Sequence, residues 1–133
     1  MSKPVSCVCN SAPRIVFPCS GSSDVGELAD QAARELARRG MGKMFCLAGI
    51  GGRVSGLVAS ARAAEAILAI DGCPLGCAGK TLEQGGIDTF ASLQLANLGF
   101  VKGRSPVSPE AIREVAAKAA AALVQAPSRT EPA

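Results

Sequence analysis

A chain of 133 residues, 48 % hydrophobic and 19 % charged, is long and apolar enough for one domain with a real core, and too apolar for a disordered tail. A net charge of +3, with no Trp, no Tyr and four Phe, supplies neither the charge nor the aromatic platform of a nucleic-acid binder. The absence of His excludes Ser-His-Asp and Cys-His catalysis, His bases and His metal ligands within one chain, so six cysteines carry whatever unusual chemistry there is: Cys7, Cys9, Cys19, Cys46, Cys73 and Cys77.

Residues 1–13 read as an N-terminal arm bearing Cys7 and Cys9. The arm lacks the apolar stretch of a signal peptide, and no run reaches the roughly 18 apolar residues of a membrane span. A cytoplasmic protein with reduced thiols and no membrane partner is the expectation. Residues 14–126 read as one α/β domain. Arg14-Ile15-Val16-Phe17-Pro18 is a continuous apolar run, as a parallel strand covered on both faces requires. The polar loop Cys19-Ser20-Gly21-Ser22-Ser23 leads to a helix over 24–39, with Leu28, Ala32 and Leu36 on its inner face. Asp30 with Arg34 and Glu35 with Arg39 are four-apart ion pairs on its outer face, and Gly40 ends it.

A second strand is expected over 43–48, with Cys46 late in it, then the turn Gly49-Ile50-Gly51-Gly52-Arg53 and an Ala-rich helix over 55–65. The third strand, residues 66–70, runs into Asp71-Gly72-Cys73-Pro74-Leu75-Gly76-Cys77, and a short helix follows over 77–85. Phe90 to Leu95 reads as a fourth strand. The last helix is marked by Ser108 as cap, Pro109 in the first turn and Glu110 at the positive end, with Ile112, Val115, Ala116, Ala119 and Leu123 on its inner face. Residues 127–133 are expected to be a disordered tail. Alternation of strand and helix predicts a three-layer sandwich: a mostly parallel sheet of about four strands with helices on both faces.

In such a sheet ligands bind outside the carboxyl ends of the strands. Cys19, Cys46, Cys73 and Cys77 all fall at that edge, delivered by three separate segments. Thiolates from separate loops can converge on a metal, and zinc, an iron–sulfur cluster and copper(I) all accept sulfur donors. Pro74 and Gly76 can turn Cys73 and Cys77 inward at a helix start, where N–H groups favour thiolate. Cys46 either joins the ligands or fills an apolar strand. Asp71 reads as an acceptor behind the ligands, a general base near Cys73, or a cap or turn residue before Gly72.

Other motifs miss by a residue. Cys46 and Arg53 are seven apart, whereas an oxyanion-cradling phosphatase loop needs six. Cys73-x3-Cys77 is one residue longer than a thioredoxin-type pair. Gly49-x-Gly51 lacks the third glycine of a dinucleotide fingerprint, and there is no P-loop. Gly51 and Gly52 before a helix make either a tight turn or an anion nest, and Arg53 and Lys80 either neutralise thiolates or are simply solvated.

Three segments together resemble the DGC-domain family. Asp71-Gly72-Cys73-Pro74-Leu75-Gly76-Cys77 carries the Asp-Gly-Cys of its name; Arg14 to Gly21 is similar to its first strand and Cys-Ser-Gly loop; Cys46 to Gly52 is similar to its second Cys segment. The resemblance runs over about residues 14–124. It implies a small prokaryotic protein whose cysteines are zinc ligands, here Cys19, Cys46, Cys73 and Cys77, and no particular reaction. Cys7 and Cys9 lie outside the matching motifs and stand as extra ligands or incidental thiols. The expected function is thiolate metal binding, zinc first, with delivery or sensing. The alternatives are a sulfur-transfer or thiol-redox protein using an iron–sulfur cluster or persulfide, and a partner-binding module stabilised by metal.

Overall fold

The computed structural model describes residues 12–129. Strands β1 (Arg14–Pro18) and β3 (Ala66–Asp71) are the two apolar runs, and they pair in parallel from Arg14 with Ala66 to Pro18 with Ile70. Strand β2 (Lys43–Met44) lies outside β1 and β4 (Ala91–Gln94) outside β3, both parallel, in the order β2-β1-β3-β4. Five α-helices connect and cover them: α1 (Asp24–Arg38), α2 (Leu47–Gly51), α3 (Ser55–Arg62), α4 (Cys77–Gln84) and α5 (Pro109–Val124). The expected single α/β domain with a four-stranded parallel sheet is therefore what the chain forms.

The two-residue period of the strands divides the interior into two cores. Val16, Leu68 and Ile70 face α1 and α5, against Leu28, Leu36, Val115 and Leu123. Ile15, Phe17, Ile67 and Ala69 face the other way, against Ile50 of α2, Ala61 of α3 and Leu82 of α4. The long helices start where the sequence predicts. Ser23 Oγ accepts from Gly26 N at 3.0 Å, and Ser108 Oγ accepts from Ala111 N at 3.1 Å ahead of Pro109.

Two local expectations change. The second strand ends at Met44 rather than at residue 48. Phe45 N still donates to Val16 O at 2.9 Å, but Cys46 is already the N-cap of α2, and what reads as a glycine turn is that helix. Gly49 lets α2 pack closely on α3: a Cβ there would meet the end of the Leu57 side chain. At the tail, Arg129 is tied down. Its N–H donates to Glu65 O and its guanidinium to the carbonyls of Ala61, Arg62, Ala64 and Thr89, the first three at the C-terminal end of α3. Among the described residues no helix is long and apolar enough to cross a membrane.

Candidate functional site

Strand order reverses between β1 and β3: from β1 the chain goes first outward to β2, then across to β3. A crevice opens at the carboxyl ends of such a pair. Cys19 follows β1 directly and Cys73 follows β3 by two residues, so both thiols stand at this crevice. Cys19 N donates to Ile70 O at 2.9 Å, and Cys19 Sγ accepts from Gly72 N at 3.4 Å.

The loops that carry these thiols interlock backbone against backbone. A Cβ on Gly72 would lie 2.6 Å from Val25 C and 2.9 Å from Gly26 N. A Cβ on Gly26 would lie 2.6 Å from Gly21 O. Those distances are shorter than side chains permit, so glycine at 72 and 26 lets the Cys-Ser-Gly loop, the first turn of α1 and the Asp-Gly-Cys turn touch.

Asp71 has a definite task. It is 5 % exposed; Oδ1 accepts from Ala78 N at 2.7 Å and Oδ2 from Gly79 N at 3.2 Å. These are first-turn amides of α4, whose N-cap, Gly76 at φ 68°, has no side chain to serve them. Asp71 caps α4 from the end of β3 and thereby fixes Cys77, the first residue of that helix. Of the roles its sequence context allows, the structure commits the carboxylate to this one.

Cys19, Cys73 and Cys77 line one cavity of about 190 Å³ together with Asp71, Leu75 and Lys102. Cys46 does not reach it. It opens on an adjoining cavity of about 550 Å³, lined also by Ser20, Asp30, Arg34 and Phe45, and Cys19 walls both. Phe45 is held edge-on to Phe17, ring centroids 5.8 Å apart, a contact worth about 0.5–1.5 kcal/mol beyond burial. Cys46 and Cys77 are exposed, Cys19 and Cys73 half-buried, and all four are free thiols. Cys7 and Cys9 lie outside the described residues.

The donor chemistry around the smaller cavity suits a soft ion, because sulfur is offered and the one adjacent carboxylate is already engaged. As the side chains stand, no three Cys, Asp or Glu among the described residues form a group able to hold a metal.

Lys102 is the cavity residue that sequence reasoning misses. Its loop hangs on Asp24, whose Oδ1 accepts from Gly103 N and Oδ2 from Ser105 N, each at 2.9 Å. Those bonds, first from Gly103 and then from Ser105, hold the Asp24 carboxyl below its ordinary range. Ser105 pins the same loop by exchanging bonds with Val101 N and O. The partners lie 79 and 81 residues apart, so no local pattern announces them.

Comparison with known proteins places the sequence in a family. No solved structure matches the chain at a significant level. A curated relative, the anaerobic and virulence modulator AnvM of Pseudomonas aeruginosa, is 41 % identical over 88 residues, which cover 66 % of this chain and 67 % of the relative. The family model for the DGC domain matches residues 15–119, a span that holds both interlocked loops, the Cys46 segment and the Asp71 cap. With most of its length inside that match, the chain belongs to the DGC domain family.

Proposed function

We propose that this protein binds a thiophilic metal ion, zinc first, at the cavity of Cys19, Cys73 and Cys77, and that it uses the ion for sensing or delivery. The observation that carries the reading is the meeting of three thiols from two sequence-distant segments, Cys19 on one and Cys73 and Cys77 on the other, at the switch point of a parallel sheet. Three thiolates leave zinc an open fourth position, which suits exchange of the ion or of a ligand on it better than a closed structural site does. The chain's own part is to hold the loops. The glycine contacts fix the backbone of Cys19 and Cys73, Asp71 fixes α4 under Cys77, and Lys102 sets a cation beside sulfur that becomes anionic on binding. The relative's name, an anaerobic modulator, is in keeping with a regulatory thiol site.

The second reading is a thiol-redox or sulfur-transfer protein working through an iron–sulfur cluster or persulfide. It is favoured by the exposure of Cys46 and Cys77. Elemental analysis of protein purified without air and without a metal-affinity tag, together with its visible spectrum, separates the two. About one zinc per chain and no colour is the expected result. Iron with matching sulfide and visible absorption would install the second reading, and six free thiols without metal would overturn the first.

A further inference from the structure

The thiol site leaves two cations unused, and they share a cleft of their own. Between α2 and α4 lies a cavity of about 200 Å³ walled by Ile50, Gly51, Arg53, Lys80, Thr81 and Gln84. No acidic side chain lines it, and among the described residues neither Arg53 nor Lys80 is in a salt bridge. Arg14, Arg34, Arg38, Arg39 and Arg113 each face a carboxylate, whereas Arg53 and Lys80 meet in a concavity without one. Two exposed, unpaired like charges in one concavity raise a positive potential that a bound anion would relieve.

The backbone adds a second observation. Among the described residues Arg53, at φ 60°, and Ser20, at φ 50°, are the two non-glycine residues in the left-handed region, where glycine is the unstrained choice. An arginine held there against backbone preference points to a use for its side chain. Gly51 and Thr81 wall both this cleft and the larger cavity of Cys19 and Cys46, so the cleft opens beside the thiols.

We propose that the α2–α4 cleft binds the oxyanion of a small ligand, a phosphate or a carboxylate, between the Arg53 guanidinium and the Lys80 ammonium. The guanidinium offers a planar fork that matches either group, Lys80 a point charge, and the Gln84 amide a further donor. This site stands independently of the metal reading, and metal-free protein suffices to test it.

The full chain, stripped of metal, is titrated with inorganic phosphate and separately with acetate at constant ionic strength, following backbone amide NMR shifts. The expected result is a saturable shift shared by residues 51–54 and 80–81. Saturation by phosphate alone identifies a phosphate-bearing ligand, and saturation by acetate a carboxylate. Arg53→Gly keeps a backbone angle that glycine adopts freely, so the fold survives; affinity should fall about tenfold, as for one lost charge-assisted hydrogen bond. Lys80→Gln should weaken binding likewise, and Arg113→Gln on α5 should not. Shifts that stay linear with anion concentration, or that survive Arg53→Gly unchanged, reduce the effect to general screening and overturn the proposal.

Discussion

The two thiol cavities share Cys19 but are built in opposite ways. Around Cys19, Cys73 and Cys77, position is set by backbone against backbone and by a buried carboxylate. Around Cys46, position is set by a two-residue edge strand and one ring contact, and the thiol is exposed. A site held by close backbone contact has little room to adjust, whereas one on a short helix at a sheet edge does. The first cavity is the more tightly held, and the second the more adjustable.

The largest effect should come from breaking the interlock. Gly72→Ala forces a Cβ into the backbone of Val25 and Gly26, neither of which is a flexible side-chain end. Overpacking of this kind costs about 1–3 kcal/mol, or several degrees of melting temperature in a domain of this size. Gly21→Ala is the matched control, because a Cβ there meets nothing within 4 Å. Thermal unfolding should show a clear drop for the first and little change for the second. Equal melting temperatures would mean that the loops are not interlocked as described.

Next comes the Asp71 cap. Asp71→Ala strands the Ala78 and Gly79 amides at a buried helix start, a loss of about 1–3 kcal/mol. Asp71→Asn keeps one accepting oxygen and should recover part of it. If Asp71 acts only through α4, both variants should also loosen whatever ion Cys77 helps to hold, in proportion to their loss of stability. Metal content that falls in Asp71→Asn with the melting temperature unchanged would give the carboxylate a direct part in binding.

The comparison itself is tested by metal retention. Cys73→Ser and Cys77→Ser should each lower bound metal strongly, since a hydroxyl is a poor ligand for a soft ion. Cys46→Ser should keep most of it, because Cys46 lines the neighbouring cavity. Equal losses in all three would merge the two cavities into one four-thiol site.

How much of this could be read from the sequence depends on whether the cause was local. Apolar runs and serine caps act within a few residues, so β1, β3, α1 and α5 are found with their boundaries nearly right. The arrival of Cys19 and Cys73 at one crevice follows from parallel order alone. Cys46 is misread as a strand residue because Met44-Phe45-Cys46-Leu47 is apolar throughout. In the structure Cys46 instead caps a short helix in which Gly49 packs against Leu57, a tertiary contact. Asp71 is ambiguous for a similar reason: its role depends on a helix whose cap position is a glycine. That glycine, followed by a helix and preceded by an acid, is a signal that could have been used.

The smallest expected effect concerns Asp24, which holds one wall of the first cavity from outside it through half-exposed bonds. It holds the Lys102 loop by accepting from Gly103 and Ser105, and these bonds lower its pKa from the ordinary 3.8. A carboxyl whose folded value is depressed adds stability that is fully present above its unfolded value and is lost as pH falls through the folded one. The contribution should therefore be complete at pH 5 and above, and should decline below 3.8. Asp24→Asn removes that dependence, so its melting temperature should fall less steeply between about pH 4 and pH 2 than the parent's. The two curves should lie furthest apart at neutral pH and converge in acid. Parallel curves would mean that the loop is held by Ser105 and its bonds to Val101, and that the cation at the rim of the thiol cavity does not depend on Asp24.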